Sequence, residues 1–293
     1  MPAWLMNALT TVLSWLLALT SSGVMTLSEP PVPPEIPDTP DKLTQEITVM
    51  SFNIWTDTGS IDTRMNGVLR TIRGEMPDSF GLQEAHELWR WPLKRKLKDE
   101  YGIACDRGRY FGVQEGTPIF YRKDRYELVD QGVFWLSDRP WITSVGWDAG
   151  LPRIAGYAVL RDKQTGFTYV HFNAHFDNAG ATARANSARL MADRINAIGL
   201  PAVFTADVNA GPGALPAQYF EAGGLIDLRD AAAVSDTGPT FHAYRGATAI
   251  LDYIYANHFL RDAAQFKVIR DEYDGMYPSD HFAIAATFTL ANY

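Results

Sequence analysis

The chain has 293 residues, 46% of them hydrophobic and 20% charged, enough for one large core or two small ones. Its formal charge is -8, from 26 basic and 34 acidic side chains, which argues against a protein that coats polyanions. A single cysteine, Cys105, excludes an internal disulfide, and no fixed-period repeat points to a solenoid.

From Met1 to Leu27 no side chain is charged. Its apolar core, Ala3 to Leu19, is longer than a typical signal h-region, close to the minimum for a bilayer span, and lacks a basic flank. Residues 1–27 are therefore expected to be an export signal or an N-terminal membrane anchor. Either would place the body outside the cytoplasm, as a periplasmic, secreted or membrane-anchored protein. A helix buried on the domain fits less well, because PPVPPEIPDTPDK (30–42) reads as a stiff, extended tether. The expected division is thus 1–27 leader or anchor, 28–45 tether and 46–293 one domain. Residues 1–41 hold four acidic and no basic side chains, so the remainder has 26 basic against 30 acidic, a net -4. Only KRKLK (94–98) and YRKDR (121–125) form basic clusters, so nucleic acid is a partner that the charge does not favour.

Beyond the tether, short apolar or alternating blocks predict strands. In order they are ITVMSFNIW (47–55), SFGLQEA (79–85), TPIFYR (117–122), YELVDQGVFWLS (126–137), IAGYAVLRD (154–162), FTYVHFNAHFD (167–177), PAVFTADVN (201–209), AILDYIYA (249–256) and FAIAATFTL (282–290). Helical spacing predicts helices over 63–75, 86–100 and 181–199, the last stopped by Gly199 and Pro201. DKQTGF (162–167) reads as a hairpin turn. Strands joined partly by hairpins and partly through helices predict a layered α/β sandwich.

Polar side chains recur where these strands end. They are Asn53, Glu84, His175 with Asp177, Asp207 with Asn209, Asp252, and Asp280 with His281. Each alone has an ordinary explanation: Asn53 or Asn209 capping a turn, Glu84 capping the next helix, Asp252 pairing with an arginine, His281 as a half-buried histidine. Burying unpartnered polar groups is costly, so six strand ends behaving alike argue for a shared site. Glu84 and Asn53 offer hard oxygen ligands suited to Mg²⁺ or Mn²⁺. No HExxH and no cysteine cluster indicates zinc. Asp207 suits orienting or deprotonating a water, with Asn209 two residues on, on the same strand face. His175 and His281 suit donation to phosphate oxygens, and Asp280 is expected to stand behind His281, given a turn between them.

SFNIW, LQE, NAHFD, TADVN, ILDYI and SDHFAI, in this order, resemble the endonuclease/exonuclease/phosphatase superfamily of metal-dependent phosphoesterases, over about residues 46–290. The resemblance implies a DNase I-like α/β (α+β) fold, a four-layer sandwich of two mixed β-sheets flanked by helices. It implies Glu84 as main metal ligand with Asn53 nearby, His175 at the phosphate or leaving group, and Asp207 and Asn209 positioning water. It also implies Asp252 in support and the Asp280–His281 pair on the phosphate. Asp207 and His281 both remain open as general base. Ala206 stands where many members have glycine, and Val208 where an aromatic is usual. WLSDRPWITSVGWDAGLPR resembles a bacterial branch described only by the superfamily name. Arg153, Arg184 and His242 are further candidate substrate contacts, with a surface salt bridge an equal reading of Arg153.

The expected activity is Mg²⁺- or Mn²⁺-dependent hydrolysis of a phosphate ester by in-line attack of water. Small phosphorylated metabolites or nucleotides suit the charge better than nucleic acid. Phospholipid headgroups enter through membrane association at the N-terminus and through Trp135, Trp141 and Trp147. At least two of these tryptophans are expected to pack between layers instead. The alternative is a catalytically silent binding module, which predicts loss of a chemical residue; none of the set is missing.

Overall fold

The computed structural model describes residues 42–106, 116–246 and 248–293, which belong to one compact unit. The expected leader or anchor and nearly all of the tether lie outside the described residues. Among the described residues no helix is long and apolar enough to cross a membrane.

Among the described residues thirteen strands form two sheets. The first holds β1 (Thr44–Asn53), β2 (Ser79–Gln83), β3 (Tyr101–Ala104), β4 (Ile119–Arg122), β10 (Val234–Ser235), β12 (Leu260–Ile269) and β13 (Ala283–Ala291), in the order β10-β12-β13-β1-β2-β4-β3. The second holds β5 (Tyr126–Trp135), β6 (Ile154–Asp162), β7 (Thr168–His175), β8 (Ala202–Asp207), β9 (Ile226–Asp227) and β11 (Asp252–Ala256), in the order β5-β6-β7-β8-β11-β9. Both sheets are mixed. In the first, β1 runs parallel to β2 and antiparallel to β13; in the second, β7 runs parallel to β8 and antiparallel to β6.

Three pairs are parallel, β1–β2, β7–β8 and the short β10–β12, and helices supply the crossovers of the first two. α1 (Ile61–Glu75) joins β1 to β2, and α3 (Ala181–Ala197) joins β7 to β8. α2 (Glu87–Lys96), α4 (Leu215–Ala222) and the single turn α5 (Leu228–Ala231) complete the set. Three apolar clusters mark the interfaces of a four-layer sandwich. Met65, Val68, Leu69 and Ile72 of α1, with Trp89 and Leu93 of α2, cover the first sheet. Ala188, Met191, Ala192 and Ile195 of α3, with Phe220 of α4, cover the second. Ile47, Val49, Val203, Ile254 and Ile284 fill the space between the sheets. Each fully buried aliphatic side chain contributes about 1.5–3 kcal/mol, so these faces fix the layering.

Between the sheets the filling turns polar toward one edge. On β7, Tyr169, His171, Asn173 and His175 alternate onto the inner face. Ser79 Oγ lies 2.7 Å from His171 Nδ1 and 3.0 Å from Tyr169 Oη, while His171 Nε2 lies 2.9 Å from Thr205 Oγ1. Gln83 Nε2 donates to Asn173 Oδ1 (2.7 Å) and Ser51 Oγ (3.1 Å). Burial pushes the His171 pKa down to about 3, so its ring is neutral. The sheets approach here because residue 81 is glycine: a Cβ there would lie 2.3 Å from both Asn173 Oδ1 and Thr205 Oγ1.

The expected strands and helices are all present, and the 162–167 hairpin closes with Gly166 at φ +76°. Unforeseen were β3, β9, β10, β12, α4 and α5. β12 carries register shifts between Leu260/Asp262 and Ala263/Gln265, which break its alternation. The tryptophan expectation is corrected: Trp135 is buried, but Trp141 and Trp147 are 44% and 39% exposed. They lie in the connection from β5 to β6, outside the layers.

Candidate active site

The carboxyl ends of β1 and β2 and those of β7 and β8 carry the polar side chains of one edge of the sandwich. Asn53 and Gln83 face each other in register at the ends of β1 and β2, and Glu84 follows. His175 of β7 pairs with Asp207 of β8, which pairs in turn with Asp252 at the start of β11. The turn before β13 brings Asp280 and His281, and Ser279 Oγ fastens it to β1 by donating to the Asn53 carbonyl at 2.7 Å. Here lies a cleft of about 690 Å³, lined by Glu84, Arg153, His175, Asp207, Asn209, Asp280 and His281 among others.

Asn53 is fully buried and bridges two carboxylates, donating from Nδ2 to Asp207 Oδ2 (2.9 Å) and Glu84 Oε1 (3.2 Å). Its own oxygen accepts from the Trp55 N–H, 3.0 Å. Glu84 has φ +58°, a left-handed conformation that swings it from the strand end into the cleft, where Oε2 accepts from Thr56 N–H at 2.8 Å. It does not cap the next helix; His86 does, its Nδ1 accepting from Leu88 N–H at 3.1 Å.

The carboxylate behind His281 is not Asp280, which corrects the expectation. Asp252 Oδ2 lies 2.9 Å from His281 Nδ1, across 29 residues of sequence. Sequence neighbours at a strand entrance point apart, whereas Asp252 on the facing sheet reaches the ring. Burial by itself would push the His281 pKa down. The charge and hydrogen bond of Asp252, with Asp207 and Asp280, outweigh it and bring the pKa up to about 10. His281 is therefore an imidazolium at neutral pH, with Nε2 3.9 Å from Asp207 Oδ2. Asp252 does not pair with an arginine, and its Oδ1 finds no partner among the described residues.

Asn209 reaches the site by another route than strand alternation: β8 ends at Asp207, and Asn209 turns in at φ +52°. Its Nδ2 donates to the Phe176 carbonyl (2.9 Å) and lies 3.0 Å from His175 Nε2. On the other side of that ring Arg153 Nη1 lies 3.2 Å from Nδ1. Both neighbours are donors, and a neutral imidazole accepts at one nitrogen only, so they compete for it. Asp207 Oδ2, at 3.4 Å from Nε2, is long for a charged hydrogen bond.

Arg153 is buried, lines the cleft and also faces Asp177 Oδ2 at 3.4 Å, so it is not a surface salt bridge. Arg184 and His242 do not line the cleft. Arg184 donates to the Asp177 carbonyl at 2.9 Å, and His242 is buried and stacked on Phe282, 4.3 Å between centroids. No motif in the sequence singles out Arg64 or Trp55. Arg64 is 1% exposed and holds the 54–57 segment through backbone carbonyls, a role no spacing announces. The polar run on one face of β7 was legible in principle, from the alternation Tyr169, His171, Asn173, His175.

The donor set fits a hard divalent cation. Glu84 and Asp280 both line the cleft, and neither forms an ion pair among the described residues. The Asp280 pKa is raised by burial, which outweighs the lowering pull of His281, and the charge of Glu84 adds to the rise. Two carboxylates that repel across a cleft are what a cation relieves. Asp207, Asp252 and His281 also bring ligand atoms within 4.8 Å of one another. In that trio His281 Nδ1 is engaged by Asp252, while Glu84 and Asp280 are further carboxylates in the cleft lining.

Comparison with known proteins agrees with this fold. An endonuclease/exonuclease/phosphatase family protein from Bacteroides thetaiotaomicron is 29% identical, with a TM-score of 0.76 over 85% of this chain and 99% of its own. A mannosyl-6-phosphatase from Bacteroides thetaiotaomicron VPI-5482 is also 29% identical, with a TM-score of 0.75 over 83% of this chain and 99% of its own. Truncated Caenorhabditis elegans TDP2, 23% identical with a TM-score of 0.66 over 83% of this chain and 97% of its own, shares the fold. No curated protein matches. Residues 50–281 match the Endonuclease/Exonuclease/phosphatase family, spanning every strand end that contributes to the cleft, and the chain belongs to that family of phosphoesterases.

Proposed function

We propose that the protein hydrolyses a phosphate monoester of a small metabolite by in-line attack of water, with Mg²⁺ or Mn²⁺ bound by Glu84 and Asp280. The observation that carries this reading is the pairing of these two carboxylates, without ion-pair partners among the described residues, with an imidazolium at His281 in one cleft. The bound cation supplies positive charge against the phosphoryl oxygens.

Asp207 is the acceptor for the proton of the attacking water, its Oδ2 steered by the Asn53 amide at 2.9 Å. His281, held charged by Asp252, donates from Nε2 to a phosphoryl oxygen as negative charge builds there. His175 and Arg153 serve the leaving-group side. As the bond to phosphorus breaks, the departing oxygen takes a proton from solvent water in the cleft, and Arg153 offsets charge on the phosphate. Asn209 fixes the His175 ring by its contact at Nε2.

A net charge of -4 after residue 41 supports a small substrate over nucleic acid. The likeness to a mannosyl-6-phosphatase, at 29% identity, supports a sugar monoester. A phospholipid headgroup is the second reading, favoured by the exposed Trp141, Ile142, Val145 and Trp147, which share the β5–β6 connection with the cleft-lining Leu151. Action outside the cytoplasm rests on the uncharged residues 1–27 and is tested by a reporter fused after Asp41, active only if exported.

The test of function is phosphate release from hexose 6-phosphates and nucleoside monophosphates, nicking of plasmid DNA and phosphocholine release from sphingomyelin, each with Mg²⁺ or with EDTA. Metal-dependent turnover of a monoester is expected. Turnover undiminished by EDTA, or none with any phosphoester, would refute the reading.

A further inference from the structure

Asp177 stands just past the end of β7, buried at 2% exposure, and does not itself line the cleft. Its Oδ1 accepts three backbone N–H groups, from Gly180 (2.7 Å), Ala179 (3.0 Å) and Gly150 (3.2 Å). These donors come from two segments that build the cleft wall. Gly150 belongs to the β5–β6 connection, whose next residues, Leu151, Pro152 and Arg153, line the cleft. Ala179 and Gly180 follow Asn178, which lines it too.

Asp148 ties the same two segments a second time. Its Oδ1 accepts from Ala183 N–H at 2.6 Å and its Oδ2 from Thr182 N–H at 3.1 Å. The connection thus supplies the cap that Gly180, at the N-cap of α3, has no side chain to give. A Cβ on residue 180 would lie 2.6 Å from the Asp148 carbonyl oxygen, so glycine is what permits the approach.

With Oδ1 held by three donors, the Asp177 carboxylate cannot turn, and Oδ2 faces Arg153 Nε at 3.4 Å. At that distance the contact is an ion pair more than a hydrogen bond. The two side chains are only 5% and 1% exposed, so water screens the attraction little. Burial draws the Asp177 pKa up, but the N–H groups of Gly180, Gly150 and Ala179 and the Arg153 charge outweigh it, and the carboxyl stays below its ordinary range. Arg153 needs such a hold. Its backbone is fixed, its carbonyl accepting from Leu136 N–H at 2.7 Å, but its side chain is long. Glu84, Asp207 and Asp280 line the same cleft, and they would draw an unheld guanidinium away from His175.

We propose that Asp177 is a positioning residue, which holds the Arg153 guanidinium at the cleft wall beside His175, ready for the phosphate, and restrains it from the cleft's own carboxylates. The proposal rests on the phosphoesterase reading, which gives Arg153 a phosphate to meet.

The test is a double-mutant cycle on kcat/KM for a hexose 6-phosphate, with Arg153→Gln, Asp177→Asn and the two combined. Asparagine keeps an oxygen for the three backbone N–H groups and removes the charge that faces Arg153. Each single change should lower kcat/KM about tenfold or more, and the double variant should fall no more than about twofold below Arg153→Gln. Losses that multiply would overturn the proposal, as would native turnover in Asp177→Asn. Mn²⁺ affinity in Asp177→Asn should equal that of wild type; a parallel loss of metal binding would show that the carboxylate only braces the cleft. Arg153→Lys leaves Asp177 and its backbone contacts in place, and so serves even where Asp177→Asn does not fold. It keeps the charge without the planar fork and should recover little, whereas native turnover would refute a positioned guanidinium. Wild type that cleaves no monoester contradicts the phosphoesterase reading itself. The positioning is then read by titrating inorganic phosphate into Mn²⁺-loaded protein. Asp177→Asn and Arg153→Gln should weaken that binding alike; unequal effects, or no binding by wild type, would end the proposal.

Discussion

Replacing Asp252 by asparagine keeps the shape behind His281 and removes the charge. In the native protein that charge is the main influence opposing burial, and the His281 pKa stands at about 10 against an ordinary 6.5. At about 1.4 kcal/mol per tenfold change, the difference favours the imidazolium by about 5 kcal/mol. Without it, burial acts against only the more distant Asp207 and Asp280, and the pKa should return toward 6.5. At pH 7 only about a quarter of the molecules would then carry the charge. Protonation alone lowers kcat about fourfold, and loss of ring orientation adds to it. The assay is the pH profile of kcat at saturating metal, from pH 5 to 10.5. Wild type should hold its activity on the basic side to near pH 10, whereas Asp252→Asn should lose it above about pH 6.5 and recover on acidification. Asp280→Asn should leave the basic limb near its native position and raise the metal concentration needed. An unmoved limb in Asp252→Asn, or an equal shift in Asp280→Asn, would refute the assignment. Stability gives the same sign: a raised folded pKa stabilises fully below about pH 6.5 and ceases to as pH rises through about 10.

His171 behaves in the opposite sense. Its ring is buried neutral with a pKa of about 3, so the unfolded chain binds a proton below about pH 6.5 that the folded chain refuses. Between pH 6.5 and 3 this should cost up to about 4–5 kcal/mol, seen as a falling urea midpoint that His171→Asn flattens. Gly81→Ala forces a Cβ against Asn173 Oδ1 and Thr205 Oγ1 at 2.3 Å. It should cost about 1–3 kcal/mol in thermal unfolding, and an unchanged midpoint would show that the sheets can part there.

The layers were legible because most strands alternate cleanly and most helices keep an apolar stripe. β12 was not, since its bulges place Leu260, Ala263, Phe266 and Val268 at a spacing that matches neither period two nor a full helix. β3 has four residues at a sheet edge, too few for a pattern. The site residues were legible as polar interruptions at strand ends. Their pairing was not, because it depends on how two sheets face each other. Asp252 and His281 meet across that gap, and adjacency in SDH pointed to Asp280 instead. Left-handed turns at Glu84 and Asn209 aim side chains that alternation alone would misplace. Arg153 was legible as a cation before a strand but not as the neighbour of His175, and Arg184 and His242 carried no signal to separate them from it.

Calorimetric titration of Mn²⁺ into the protein asks most directly whether the strand ends assemble a cation site. Wild type should bind at the cleft, Glu84→Gln should lose that binding, and Arg184→Gln, outside the cleft lining, should keep it. Native-like binding by Glu84→Gln would contradict the account, because the carboxylate turned into the cleft would then have no cation to hold.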